Sequence, residues 1–540
     1  MDKGILLILL TLLPLAALAG VLALPREAWR AMRAATLATA LAQLVIAVVL
    51  AASFNAQLGG VNDPGGFQFV VRIPWVDLQT SFMGGLHLDF VLGLDGISMP
   101  MVLLASLVFA IAVIASWNVD RNQKGYFALL LLLNTGIIGS FAALDLLLFY
   151  FFLEMTLLPV YFLIGIWGGE RREYAATKYV LTMLFGSVLL LLGMIGLADS
   201  VDIAAGGSHG VLHTFDMMAL MNPASYSPGG LFSPESAGVF SPTTMRTWGF
   251  LILLAGLAIR LPMVPFHTWL PDAHTEAPTP VTVILSALVM NIAAYGMLRI
   301  CFSMFPDIAS TPAMQQALLV AGGIGAVYAS LCAMAQTDMK RIVAYVSIAH
   351  MSFVAVGLGG GNAVGLCGTV FQMVNHGLVM TLLVLLVGAL ADRVGDRTLA
   401  KFGGLMGGMP AFAVIAVLAS FAAIGIPGLA GWWSQSFAIV GAFQNGTAPA
   451  WTIAALLGML LGAAALLRFV RGLFLGPLHT PDWRGRLRDL TLREWTMLAL
   501  PAALLVLLGV WPALLVDGIG GSVNMLASLL QPIVTQRPPF

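Results

Sequence analysis

Long apolar runs alternate with short polar connections along nearly the whole chain. A helix that crosses a bilayer needs about 20 mostly apolar residues. By that measure the pattern predicts fourteen transmembrane helices, at residues 4–24, 32–54, 94–117, 126–143, 145–167, 174–197, 246–274, 279–303, 313–334, 339–358, 363–390, 410–442, 450–475 and 494–516. The predicted fold class is therefore an all-α, polytopic membrane protein.

Composition excludes the soluble alternatives. Of the 540 residues 59% are hydrophobic and only 9% are charged, and the mean hydropathy is +0.95. Soluble domains carry about 25% charged residues. The formal net charge is zero, so no basic surface indicates a nucleic-acid partner.

The cysteines give no sign of a metal or redox centre. Cys301, Cys332 and Cys367 lie far apart within apolar runs, a spacing that suits neither zinc nor an iron–sulfur cluster. They are read as small buried residues, so we expect no metal and no cofactor on this chain.

Positive charges set the predicted orientation. The cluster Arg26, Arg30 and Arg33 follows the first apolar run, which indicates a retained helix with its N-terminus outside rather than a cleaved signal peptide. Most of the 25 lysines and arginines then fall on inside loops, and both termini lie outside. One outside loop contains 69–73 and 86–90, which are predicted to pair as a hairpin.

Two of the predicted helices contain proline in the middle. Pro262 and Pro265 interrupt the seventh and Pro427 interrupts the twelfth, and proline removes a backbone donor. Each break lies in the fourth helix of a run of five, so the two runs enter from opposite faces. A single proline is often only a kink, but this arrangement favours an inverted repeat with an ion pathway.

The repeat divides the chain into four predicted regions. These are helices 1–3 with a periplasmic loop (1–125), the first five-helix repeat (126–303), the second, inverted repeat (313–475), and a final helix with its tail (494–540).

Few ionisable residues fall within the membrane, where charge is costly and usually functional. Glu154 lies in the middle of the fifth helix and Arg260 beside the first break. Glu154 is either a protonated acid that joins helices or a site that exchanges protons, and we favour the second. Arginine does not release its proton in proteins, so Arg260 is expected to be a fixed counter-charge.

Histidines supply a second set of candidates. His350 and His376 lie on the adjacent tenth and eleventh helices, and neutral imidazole both donates and accepts, as a proton chain requires. Structural histidines are an equally good reading. His267 and His274 belong to a proline-rich stretch with Asp272 and Glu276, which is read as a rigid cytoplasmic cap rather than a metal site.

Several of these segments together resemble one family. They are LGLDGISMPMVLL (92–104), the Glu154 segment, RLPMVPFHTWLPDAH (260–274), AAYGMLR (293–299), the His350 segment and IGIPG (424–428). The chain is similar to the antiporter-like membrane subunits of proton-pumping NADH–quinone oxidoreductase (respiratory complex I), and most to the chain M group. The resemblance covers about residues 85–475 and implies fourteen helices, no cofactor, neighbouring antiporter-like chains as partners, and a bacterial inner membrane.

The resemblance also implies a proton row, from which this chain departs. Glu154 matches the family's glutamate on helix 5, and His350 and His376 match its histidines. Arg260 and Asn291 stand where the family has lysines, and Gln435 replaces an acid on the broken twelfth helix. None of these three side chains titrates near neutral pH.

The expected function is a membrane-arm subunit that couples electron transfer from NADH to quinone to proton translocation, with its own channel weakened or closed. Two alternatives stay open at the level of sequence: a subunit of a cation–proton antiporter or energy-coupled hydrogenase complex, and a non-conducting spacer. No nucleophile, cluster motif or nucleotide-binding motif indicates an enzyme that acts alone.

Overall fold

The computed structural model describes residues 3–61, 64–80, 84–203, 212–227, 230–234, 241–480, 483, 485 and 487–531. Its longer helices are α1 (Lys3–Ala23), α2 (Trp29–Ala52), α3 (Ser98–Ala115), α4 (Gln123–Ala142), α5 (Leu146–Trp167), α6 (Arg172–Asp199), α7 (Pro242–Arg260), α8 (Trp269–Glu276), α9 (Thr279–Phe302), α10 (Pro312–Ala335), α11 (Met339–Gly360), α12 (Ala363–Val394), α13 (Pro410–Ile424), α14 (Ala430–Asn445), α15 (Pro449–Phe474), α16 (Leu492–Val510) and α17 (Ala513–Leu530).

The predicted class is confirmed, because fourteen of the described helices are long and apolar enough to cross a membrane. The set differs from the predicted one at two places. The broken span predicted at 410–442 is not among the fourteen, because it forms the shorter helices α13 and α14, and a further helix is added at the C-terminus. The span predicted at 494–516 ends at Val510, before Pro512, and α17 follows as an additional helix. Ser522 of α17 accepts a hydrogen bond from the amide of Gly96, at 2.9 Å, beside the start of α3.

The chain leaves the helix at both places where a break was predicted. Between α7 and α8 the missing amide of Pro262 leaves the carbonyl of Ala258 without its usual partner, and the amide of Met263 donates to it at 3.0 Å. The indole of Trp269 donates to the next carbonyl, that of Ile259, at 3.0 Å. Because these backbone groups are satisfied within the protein, the break can sit at membrane depth.

The predicted hairpin is confirmed. Strands β1 (Gln68–Thr80) and β2 (Gly84–Leu94) are antiparallel, with Ile73 opposite Phe90. A third strand, β3 (Leu212–Thr214), pairs in parallel with β2 and was not predicted.

Three helices form the centre of the molecule. The apolar windows of α9, α11 and α12 are 100%, 94% and 94% buried, whereas those of α1 and α15 are 28% buried. Polar groups within these windows are therefore mostly shielded from lipid by protein.

The loops on one side of the bundle carry most of the basic residues, as the orientation predicts, and we call it the basic side. Lys124 Nζ donates to the carbonyl of Leu24 at 2.8 Å, and Arg493 donates to Asn118 Oδ1 at 2.7 Å. These contacts join loops that were all assigned to the cytoplasm.

Candidate functional site: a buried polar row

The first cluster of the row joins α5, α6 and α7. Arg260 Nη2 lies 2.5 Å from Glu154 Oε1 and 2.5 Å from Ser187 Oγ, and Ser187 Oγ donates to the same carboxylate oxygen at 2.7 Å. The Arg260 side chain is 3% exposed and that of Glu154 is 23% exposed. The two predicted residues are thus brought together as an ion pair.

The local sequence explains where Arg260 points. It is the last residue of α7, and a cation at a helix C-terminus is favoured by the free carbonyls there. The break after it frees the side chain to reach across to α5 and α6.

Asn291 occupies the centre of α9 and serves as a link between helices. Its amide nitrogen donates to the carbonyl of Ala287 at 2.8 Å and to that of Met373, on α12, at 2.9 Å. Wide π-helical turns at Leu285–Val289 and Met297–Phe302 flank it. Among the described residues, Asn291 makes no hydrogen bond to the Glu154 cluster or to the histidines.

The histidine pair forms the second cluster. The rings of His350 and His376 are 5.7 Å apart between centroids, and both side chains are buried. His376 Nε2 lies 3.3 Å from Ser347 Oγ, and His350 Nε2 lies 3.0 Å from the carbonyl oxygen of Ala423.

The second break explains how Gln435 joins this cluster. The carbonyl of Ala423 would normally accept from the amide four residues later, but that residue is Pro427, which has none. The side-chain amide of Gln435 donates to this carbonyl at 3.0 Å, beside His350. A cavity of about 20 Å³ borders His350, Gln435 and Ser330, which is space for about one water molecule.

Two buried titratable residues were not predicted as part of the row. Lys340 is 8% exposed and donates to the carbonyl of Ala277 at 2.8 Å, and the imidazole of His274 is fully buried with no hydrogen-bond partner among the described residues. In the predicted topology Lys340 belongs to an inside loop and His274 to the cytoplasmic cap. The helical spacing could have indicated that Lys340 belongs with the row, because Lys340, Ser347 and His350 fall on one face of α11.

A large cavity opens beside these residues on the basic side. It measures about 930 Å³, and its lining includes Lys340, Glu276, Asp392 and the ion pair Arg393–Glu494, which is 2.8 Å long. The proline-rich stretch also makes contacts at the edge of this side of the bundle. Asp272, for example, pairs with Lys178 at 2.7 Å.

Comparison with known proteins gives the family. The model of the NADH:quinone oxidoreductase/Mrp antiporter transmembrane family matches residues 143–462. NADH-quinone oxidoreductase subunit M of Rhodobacter capsulatus is 38% identical over 461 residues, which cover 85% of this chain and 84% of that protein. Subunit M of Pseudomonas aeruginosa is 34% identical, with 92% of this chain and 90% of that protein covered.

Solved structures agree with this assignment. A chain of respiratory complex I from Thermus thermophilus superposes with a TM-score of 0.80 at 26% identity, covering 97% of this chain and all of that one. A chain of the Mrp complex from Dietzia shares the fold, with a TM-score of 0.75 at 21% identity and coverage of 97% and 99%. The protein is therefore a multi-pass membrane member of the NADH:quinone oxidoreductase/Mrp antiporter family and groups with its subunit M relatives.

Proposed function

We propose that the protein is a membrane-arm subunit of a proton-translocating NADH–quinone oxidoreductase whose own proton channel is interrupted in the first repeat. The names of its subunit M relatives support the assembly. Neighbouring antiporter-like chains are its proposed partners, and the redox chemistry is assigned to other subunits.

One observation carries the proposed interruption, namely that Glu154 is paired with an arginine. A proton station near neutral pH has to release its proton at a modest cost. The ordinary pKa of arginine is above about 12, so deprotonating it at pH 7 costs at least about 7 kcal/mol before the attraction of a carboxylate is added. A lysine, with an ordinary pKa of about 10.4, would need only about 5 kcal/mol.

The same pair also immobilises the acid. Arg260 and Ser187 both donate to Glu154 Oε1, so a proton that arrives at this oxygen has to displace a charge-assisted hydrogen bond. We therefore assign Glu154, Ser187 and Arg260 a fixed electrostatic role rather than an exchanging one.

The remaining departures add to the interruption. The amides of Asn291 and Gln435 donate to backbone carbonyls and cannot take up a proton near neutral pH. The second repeat keeps the His350–His376 pair, with space for about one water beside His350, so its polar path is less altered than that of the first.

A second candidate is a subunit of a cation–proton antiporter or a related membrane complex. The fold shared with a chain of the Mrp complex of Dietzia supports this candidate. The sequence identity to that chain is 21%, however, whereas the identity to the Rhodobacter subunit M is 38%. Deleting the chain separates the two. Loss of assembled NADH–quinone activity supports the first, whereas intact NADH oxidation with sodium-sensitive growth at alkaline pH supports the second.

The interruption is tested by the ratio of protons moved to electrons transferred in sealed vesicles. We expect Glu154→Gln to leave this ratio unchanged when assembly and NADH oxidation are intact. Glu173→Gln is the matched control, because Glu173 is exposed at the start of α6 and lies outside the row. A lower ratio for Glu154→Gln alone would mean that Glu154 still exchanges protons and that the channel is not interrupted there.

A further inference from the structure

A cavity at the end of α15 lies apart from the polar row. It measures about 580 Å³ and opens on the basic side, between the last turns of α15 and the segments around Thr337 and Leu399. Arg468, Arg471 and His479 contribute to its wall. Nothing in the proposed function uses this cavity.

The described wall of the cavity carries only positive charge. Arg468 and Arg471 lie one helical turn apart, both are exposed, and none of the described lining residues is acidic. Arg468 donates to the carbonyl of Met334 at the end of α10. Among the described residues, Arg471 has no partner for a side-chain hydrogen bond or ion pair, and it lines the cavity beside Arg468.

An apolar stripe leads away from the two arginines toward the middle of the membrane. Leu467, Leu460, Leu457 and Ile453 are 51%, 68%, 49% and 57% exposed. Their spacing places them on the same face of α15 as Arg471. From Arg471 to Leu460 the helix rises about 16 Å, which matches the half-thickness of about 15 Å of a bilayer's hydrocarbon core.

The neighbouring helix α10 packs against the opposite face of α15. The two helices approach closely at glycine, since a Cβ on Gly458 would lie 2.6 Å from the Cβ of Ala326. The stripe therefore lies on the side of α15 that is turned away from α10, and it leads to the basic cavity.

We propose that this cavity and stripe bind an anionic phospholipid of the cytoplasmic leaflet. The headgroup phosphate lies between Arg468 and Arg471, and one acyl chain lies along Leu467 and Leu460. Basic pockets between helices at the cytoplasmic boundary fit phosphate headgroups, and arginine binds phosphate through two parallel hydrogen bonds. The stripe favours a lipid over free phosphate, because free phosphate has no part that would cover it.

The test uses the detergent-purified assembly that contains the full chain. A phosphatidylglycerol analogue with a photoreactive acyl chain is titrated, and its cross-links are mapped to residues 453–475. A phosphatidylcholine analogue with the same chains tests the charge, and glycerol 3-phosphate as competitor tests whether the headgroup alone binds.

The decisive variant is Arg471→Gln, because this change removes no side-chain hydrogen bond or ion pair to a described residue. Each arginine near the membrane surface raises the affinity for an anionic lipid by a factor of about five. The lipid concentration at half-saturation should therefore rise about fivefold in Arg471→Gln and about thirtyfold in Arg468→Gln/Arg471→Gln. Arg468→Lys/Arg471→Lys keeps the charge and should stay within about threefold of the wild type. Arg30→Gln, an exposed arginine stacked on Trp29 at the end of another helix, is the matched control and should change nothing.

Four results would overturn the proposal. One is equal labelling by the phosphatidylcholine analogue, and another is unchanged half-saturation in the double glutamine variant. The third is an absence of labelling in the wild type because a neighbouring subunit covers α15. A photoreactive residue placed at Leu460 would reveal such a subunit through protein–protein cross-links. Full competition by glycerol 3-phosphate at the lipid's own concentration would likewise show that a free phosphate, rather than a lipid, is the ligand.

Discussion

Removing either member of the Glu154–Arg260 pair is expected to cost more stability than removing both. Breaking a buried ion pair typically costs about 3–5 kcal/mol, because one charge is left without a partner. Arg260→Met leaves a carboxylate that is 23% exposed and still bonded to Ser187, so we place its cost at about 3 kcal/mol. Glu154→Gln leaves a cation that is only 3% exposed, and we place its cost at about 4 kcal/mol.

The double variant Glu154→Gln/Arg260→Met carries no charge at this site. It loses mainly hydrogen bonds around Ser187, which are worth about 1 kcal/mol. Its free energy of unfolding should therefore lie within about 1 kcal/mol of the wild-type value. The sum of the two single-variant costs should therefore exceed the cost of the double variant by more than about 3 kcal/mol. The free energies come from titrating the purified protein with SDS in mixed micelles.

The chain offers a control cycle on its surface. Lys401 and Asp396 form an ion pair whose side chains are 54% and 22% exposed, and such pairs are worth less than about 1 kcal/mol. The cycle of Lys401→Met and Asp396→Asn should therefore show little coupling. If the Glu154 and Arg260 costs instead add to within about 0.5 kcal/mol, the two residues do not form the ion pair on which the proposed interruption depends.

Two further outcomes follow from the packing and the charges. Burial raises the pKa of Asp145, the N-cap of α5, to about 7 although the amide of Leu148 donates to it. Because the folded state then holds this proton more tightly than the unfolded state, the contribution of Asp145 to stability should be greatest below about pH 4 and should fall as pH rises to 7. Asp145→Asn should lose that slope in melting temperatures taken from pH 4 to 8, and parallel profiles would contradict the assignment. A Cβ at Gly368 would lie 2.3 Å from the backbone nitrogen of Ala438, so Gly368→Ala should lower the free energy of unfolding by about 1–3 kcal/mol. Gly520→Ala, which meets open space, should not lower it, and equal losses in both would refute the packing argument.

The fold class and the two breaks were open to prediction because each rests on a local rule. Membrane thickness sets the length of an apolar run, and proline has no amide, so the helices and the breaks at Pro262 and Pro427 are visible in the sequence. The row as a whole was implied by the resemblance to the family rather than by such a rule. The additional helix α17 was missed because the apolar pattern around Pro512 was assigned to a single span.

The two titratable residues beyond the predicted row show where local rules end. Lys340 was assigned to an inside loop by its positive charge, and His274 was assigned to the cytoplasmic cap by the prolines around it. Their burial depends on how α8, α11 and α12 pack around the end of α9, and no single helix carries that information.

The sequence by itself determined that this is a membrane protein of many helices, that two helices are broken, and that Arg260, Asn291 and Gln435 cannot exchange protons near neutral pH. These properties belong to individual side chains and to the periodicity of single segments. Only the tertiary structure decided which groups meet: Arg260 with Glu154 and Ser187, and Gln435 with His350 at the carbonyl of Ala423. The physical reason is that an ion pair or hydrogen bond forms only within about 3 Å, and distances between residues on different helices are set by packing.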